Sequence, residues 1–202
     1  MNLKIPSDLL KESTDESDQR ILDSARSLYV EFGLRRTTME DVAKRAGMGR
    51  ATLYRRFSEK DQLFKAVILR DLQRDMVLIE KEIEKVHSAL DGLIEAFIKA
   101  SLLMHRSELI KRLLATEPDH VLPYLTTDFD AILAFSRTYL TLQIQRGQKV
   151  GHIRNSDPEP LAEMLLRLLQ SFMLTPNGVI DPSSEKSIRR FTELYLRPLL
   201  EP

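Results

Sequence analysis

Residues 37–64 read TTMEDVAKRAGMGRATLYRRFSEKDQLF, and the order of residue types in this stretch decides the architecture. Thr37, followed three positions later by Glu40, is a capping box in front of Met39, Val42, Ala43 and Ala46, and Gly47 stops that helix. Gly49 caps a second, shorter helix over 50–57, whose apolar anchors Leu53 and Phe57 lie one turn apart. Two short helices joined by Gly47-Met48-Gly49 form a helix-turn-helix pattern, with Ala43 four residues before the first glycine and Leu53 six after it. A helix of about eight residues is marginal in water on its own. Leu53 and Phe57 must therefore hold it against its neighbours, which leaves its other faces free for a partner.

Setting Leu53 inward and stepping about 100° per residue puts Ala51, Thr52, Tyr54 and Arg55 on the outward face. Ala51 is small enough for a helix backbone to approach base edges. Thr52 can touch a thymine methyl or a phosphate, Tyr54 offers a hydroxyl to phosphate, and Arg55 suits guanine or phosphate. Thr37, Thr38 and Lys60 stand at helix starts, where free amides and the positive dipole end attract phosphate. The local charge agrees. Residues 33–60 carry Arg35, Arg36, Lys44, Arg45, Arg50, Arg55, Arg56 and Lys60 against Glu40, Asp41 and Glu59, inside a chain of 30 bases and 30 acids. A confined basic segment in a neutral protein is how a phosphate-binding surface shows itself in sequence.

The rest of the chain sets limits. Its 202 residues suffice for one or two domains with a real core. The absence of cysteine removes disulfides, thiolate metal sites and thiol nucleophiles together. No apolar stretch near the N-terminus fits a signal peptide. The longest uninterrupted apolar run, 131–135, falls far short of the ~20 residues needed to span a bilayer. These features point to a soluble, cytoplasmic protein with no membrane partner. Glycine and proline punctuation cuts the sequence into helix-length pieces, so the expected fold is all-α with about nine helices. Those outside 37–57 fall at 18–32, 58–87, 89–106, 108–116, 123–146, 157–174 and 184–199. The expected organisation is a flexible segment over 1–17, a three-helix helix-turn-helix domain over 18–64, and a helical domain over 65–202. The long helix from Ser58 to about His87 joins the two domains.

The run from Thr37 to Gly47, with that from Ala51 to Phe64, resembles the DNA-binding signature of TetR-type transcriptional regulators, and the likeness covers about residues 18–68. The resemblance implies a homodimer whose recognition helices enter successive major grooves of a palindromic, double-stranded operator. It also implies a C-terminal domain that dimerises and binds a small-molecule effector. The implied function is a ligand-responsive repressor released from DNA by its effector, neither an enzyme nor a holder of a cofactor. One departure is Gly49, where many relatives carry Ser or Thr whose hydroxyl caps the helix and reaches phosphate. Arg50, next to it, is the candidate substitute.

Farther along, residues 161–174 are mostly apolar, with their polar positions confined to a narrow arc, so this helix needs burial on two sides. Leu161, Leu165, Leu168 and Phe172, with Ile188, Phe191 and Tyr195 on the last helix, are the candidate dimer interface. For a mostly apolar effector, aromatic and sulfur side chains interleaved with lone polar groups give Phe97, Ser101, Met104, His105, Phe135 and Tyr139. Two readings from other classes stand beside these. Glu84 with His87 and Glu117 with His120 repeat the Glu-x-x-His spacing of di-metal helical bundles. Pro118 interrupts the second pair, and Glu80, Lys81, Glu82 and Lys85 make the first a solvated face, so no metal is expected. The other reading is a structural helical adapter. Signatures of serine hydrolases, phosphate loops and dinucleotide sites are missing.

Overall fold

The computed structural model describes residues 15–128 and 130–202, and all regular structure among them is helical. The expected flexible segment over 1–17 lies mostly outside these residues. Its last part is already capped structure: the Asp15 carboxylate accepts the Ser17 N–H at 2.8 Å and opens α1 (Glu16–Phe32). Ile21, Leu22, Ala25, Leu28 and Tyr29 form the buried stripe of α1.

The next two helices are short, α2 (Met39–Arg45) and α3 (Arg50–Arg56). The cap of α2 is one residue later than the Thr37–Glu40 spacing predicts. Thr37 is buried and donates its hydroxyl back to the Gly33 carbonyl at 2.8 Å. Thr38 therefore becomes the N-cap, accepting the Asp41 N–H at 3.1 Å while Asp41 accepts the Thr38 N–H at 3.0 Å. At the other end Gly47 takes φ 65, and the Met48 N–H bonds to Ala43 O at 2.9 Å while the Gly47 N–H bonds to Lys44 O at 3.2 Å. This paired arrangement closes a helix at a left-handed residue and fixes the turn into α3. α4 (Lys60–Ile83) follows, shorter at both ends than the expected 58–87.

By contact the described chain forms two compact units, divided at 74/75 and again around 106 and 129. One joins residues 15–74 to 107–128, and so includes α6 (Glu108–Thr116) and α7 (Pro118–Leu125). A boundary at 64/65 does not anticipate this. Leu109, Leu113, Val121 and Leu125 of the two later helices are buried. Phe64 meets Tyr29 edge-on at 5.5 Å and Tyr124 edge-on at 4.9 Å. Pro118, read from sequence as a divider, separates α6 from α7 and sits in the first turn of α7, where a missing N–H costs nothing, whereas Pro123, expected to open the next helix, lies inside α7. The expected single helix over 123–146 is accordingly two, α7 and α8 (Asp130–Lys149).

The other unit holds the end of α4, α5 (Ala89–Arg106), α8, α9 (Pro158–Leu174) and α10. α10 begins as Glu185–Phe191, widens into a π turn over Thr192–Leu196 and closes over Arg197–Leu200. Ile94, Ile98, Ile144, Leu165 and Ile188 form the centre of its core. Ten helices result among the described residues, counting α10 once, because residues 118–125 add one to the expected set.

At Gly47 a Cβ would meet nothing within 4 Å, so only the left-handed backbone opposes a side chain there. Gly47→Ala is expected to lower stability by about 1–2 kcal/mol, with Gly47→Asn costing less, as read from chemical denaturation midpoints.

Candidate nucleic-acid interface

The turn at 46–49 aims α3, and burial fixes its roll: Leu53 is 0 % exposed, whereas Ala51 and Arg55 are exposed and Tyr54 is 43 % exposed. Thr52 is half-buried at the edge of the same outward face. Gly49 supplies no side-chain cap; its carbonyl accepts the Thr52 and Leu53 N–H groups, and a Cβ there would meet nothing within 4 Å. Arg50 points into solvent, 3.5 Å from Glu40. The four positions read outward from sequence thus form one surface of α3, with Arg50 at its N-terminal end.

The helix-start candidates behave differently. Thr37 is buried and cannot offer its hydroxyl to a phosphate. Thr38 is exposed, but its hydroxyl serves the cap of α2; the same hydrogen bonds, side chain first and then backbone, lower the Asp41 carboxyl below its ordinary value. Lys60 turns inward, with Nζ donating to the carbonyls of Leu34 at 3.1 Å, Arg35 at 3.4 Å and Thr37 at 3.3 Å. It is a brace for the loop between α1 and α2. Arg45 and Arg56 are also engaged internally. Arg45 bonds to Glu31 at 2.7 Å and to Ser27 at 3.0 Å. Arg56 pairs with Asp15 at 2.6 Å and with Asp18, and it is chiefly the Arg56 hydrogen bond that lowers the Asp15 carboxyl. Arg36 and Arg55 are exposed and form no ion pair among the described residues. Arg36 is the candidate that sequence reasoning passed over. Its signal was its place just ahead of the cap of α2, inside the basic segment.

Residues 21–67 match the family described as bacterial regulatory proteins, tetR family. An HTH-type transcriptional regulator of Mycobacterium bovis is 26 % identical over 165 residues, covering 81 % of this chain and 84 % of its own. The HTH-type transcriptional regulator YhgD of Bacillus subtilis is 27 % identical over 183 residues, covering 87 % and 92 %. Residues 21–67 thus carry the TetR-family DNA-binding domain. The TetR family repressor AlkX from Dietzia sp. has the same fold, with a TM-score of 0.68 at 24 % identity over 90 % of this chain and 94 % of that one.

The Glu-x-x-His pairs lose their geometry in the structure. Glu84 and His87 lie past the end of α4 in exposed non-helical chain, and His120 is exposed while the Glu117 carboxylate binds Arg35 N–H. The di-metal reading is set aside on those placements. No helix among the described residues is long and apolar enough to cross a membrane.

The effector candidates separate into two groups with different neighbours. On α5, Phe97 packs at 6.4 Å from Phe172 and 6.3 Å from Phe191, and Ser101 donates to Pro182 O at 3.0 Å. His105 Nδ1 bonds to Ser101 O at 2.8 Å, leaving a buried Nε2 without a partner, and Met104 is half-buried. On α8, Tyr139 donates to Glu80 at 3.3 Å, and burial pushes its hydroxyl pKa upward; Phe135 is half-buried. Two dimer candidates require correction: Leu165 at 2 % and Ile188 at 0 % exposure face the core of their own unit. Leu161, Leu168, Phe172 and Phe191 are partly buried against that core, and Tyr195 is 64 % exposed.

Because Lys60 braces carbonyls, its loss is expected to register without DNA. Lys60→Met should lower unfolding free energy by about 1 kcal/mol, measured by denaturation of the free protein. Unchanged stability would return Lys60 to the DNA-facing set.

Proposed function

We propose that this regulator binds a palindromic operator as a homodimer, reading the major groove with Ala51, Thr52, Tyr54 and Arg55 of α3. Arg36 and Arg50 lie toward the flanking phosphates. A small-molecule effector held in the unit of α5, α8, α9 and α10 releases the dimer from DNA. The observation that carries the reading is the outward face of α3 around a fully buried Leu53. Its residue types offer a close backbone approach, a hydroxyl and a guanidinium together, which is what base edges and phosphates require.

Release follows from linkage. An effector weakens DNA binding only if it binds the DNA-incompetent arrangement more tightly, and DNA then weakens the effector by the same factor. The half-buried Met104 and Phe135, with the unpartnered Nε2 of His105, favour a largely apolar effector carrying one polar group.

The surface supporting dimerisation keeps Leu168 and Tyr195 of the expected set and leaves out the buried Leu165 and Ile188. Met164 and Leu168 lie one turn apart on α9, and Leu194, Tyr195 and Leu199 stand 54 %, 64 % and 38 % exposed on α10. The exposed Leu194, Tyr195 and Leu199 on α10, with the exposed Met164 on α9, favour these two helices as the association surface.

Two measurements test the reading. Tyr54→Ala with Arg55→Ala should leave the fold intact and cost about 1–3 kcal/mol in affinity for a selected duplex, with a salt dependence that falls as phosphate contacts are lost. An unchanged affinity would remove α3 as the reader. In sedimentation, Tyr195→Glu combined with Leu194→Glu should yield folded monomers, whereas Leu165→Glu should unfold the protein by burying a charge. A wild-type monomer at micromolar concentration would overturn the dimer.

A further inference from the structure

α6 and α7 meet at Glu117, which is the C-cap of one and the N-cap of the other. Its side chain caps neither helix. The carboxylate instead reaches the loop between α1 and α2, 82 positions away in sequence, where Oε2 accepts the Arg35 N–H at 2.8 Å. Oε1 lies against Gly33, so that a Cβ at residue 33 would overlap the carboxylate. Gly33 also takes φ 88, and its missing side chain serves both the left-handed turn and the approach of Glu117. Nearby on α6, Arg112 Nη2 donates to Glu31 O at 3.0 Å, in the last turn of α1.

The loop over 33–38 is therefore gripped twice, by Lys60 through its carbonyls and by Glu117 through its amide. It carries the exposed Arg35 and Arg36 and runs directly into Thr38, the cap of α2. On charge alone a further carboxylate brought beside this basic segment costs phosphate affinity, since it repels phosphate. A gain in geometry must offset that cost.

We propose that Glu117 is a positioning residue for DNA binding. It touches no DNA; it fixes Arg35 N–H, and through it sets where Arg35, Arg36 and the first turn of α2 stand relative to the recognition helix. The proposal rests on the DNA-binding reading and adds a residue from outside the helix-turn-helix to it. The sign of a mutational effect separates this role from others. If the carboxylate acted only through its charge, removing it would tighten DNA binding. If it only supported the fold, stability would fall while the affinity of the folded protein stayed constant. If it positions the loop, removal weakens binding and a neutral acceptor of the same reach restores it, because glutamine retains a carbonyl oxygen for the Arg35 N–H.

The experiment uses the full chain and a duplex of about 30 base pairs, long enough for two half-sites one helical turn apart, enriched by the wild-type protein from a randomised pool. Affinity is read by fluorescence anisotropy and the Arg35 amide by hydrogen exchange. Glu117→Ala is expected to weaken binding about tenfold, the equivalent of one lost hydrogen bond, and to speed Arg35 exchange. Glu117→Gln should stay within about twofold of wild type with Arg35 still protected. Should Glu117→Ala fail to fold, Glu117→Asp keeps the charge but falls one methylene short of Arg35, and should show the same loss. Tighter or unchanged binding by the folded Ala or Asp variant overturns the proposal, as does a Gln variant as weak as Ala. A wild-type chain that enriches no duplex overturns the DNA-binding reading, and this proposal with it. Failure of the Glu117 variants alone leaves that reading standing.

Discussion

Two helices of seven residues each cannot stand by themselves, and nearly everything around α2 and α3 compensates for that constraint. The compensation combines burial of Met39, Val42, Ala43 and Leu53 with hydrogen bonding at the helix ends. A reciprocal cap at Thr38 and Asp41 opens α2, and paired amide bonds around Gly47 close it. Lys60 then ties the preceding loop from the first residue of the next helix. Leu53 supplies the principal apolar anchor of α3, and because it is fully buried it also determines which four side chains point away. Recognition geometry is thus a by-product of how a helix too short for independence is kept in place.

A second layer of constraint joins α1 to α4. Arg26 pairs with Asp71 at 2.7 Å, Arg70 with Asp23 at 2.8 Å and Arg74 with Gln19 at 3.1 Å, so that charged residues fill the seam between two long helices. Arg70 is nearly inaccessible, and burial lowers its pKa from the usual arginine value. Breaking such a pair from one side strands a buried charge, so seams of this kind define an arrangement more than they add stability. The same logic rescales the basic segment. Of its cations, Arg45, Arg56 and Lys60 are bound to the protein itself, and the surface left for phosphate is smaller than counting along the chain implies.

The fold was legible wherever local chemistry was unambiguous. The Ser107 cap, the Asp157 cap with Pro158 behind it, and the Ser184 cap open α6, α9 and α10 as their residue types demand. Thr37 and Thr38 were ambiguous, because each has an acid three residues on. The choice between them is made by the Gly33 carbonyl, a neighbour in space that spacing cannot reveal. Pro123 was misread as a helix start, because Pro118 already begins the helix that contains it and proline alone does not say which of two candidates opens a helix. Leu165 and Ile188 were placed on an outer surface because an apolar stripe does not say which of its two edges meets its own core. The outward face of α3 was read correctly, yet the contribution of Glu117 to the unit containing it was invisible, since nothing local links residue 117 to residues 33–35.

The π turn over Thr192–Leu196 has an evolutionary consequence. Before it, Ile188 belongs to the core; after it, Arg197 pairs with Asp91 at 2.8 Å, and within and beyond it lie the exposed Leu194, Tyr195 and Leu199. A π turn holds one residue more than an α turn, so it offsets the angular phase of the two halves of one continuous helix. The offset lets both halves supply the core, Ile188 before the turn and Leu196 and Leu200 within and after it, while Leu194, Tyr195 and Leu199 stay exposed. Losing or gaining one residue here would turn the terminal half by roughly 100°, taking Leu196 and Leu200 out of the core and Arg197 away from Asp91. The terminal apolar face can therefore change by substitution at Leu194, Tyr195 and Leu199, whereas an insertion or deletion in the turn would disturb the core itself.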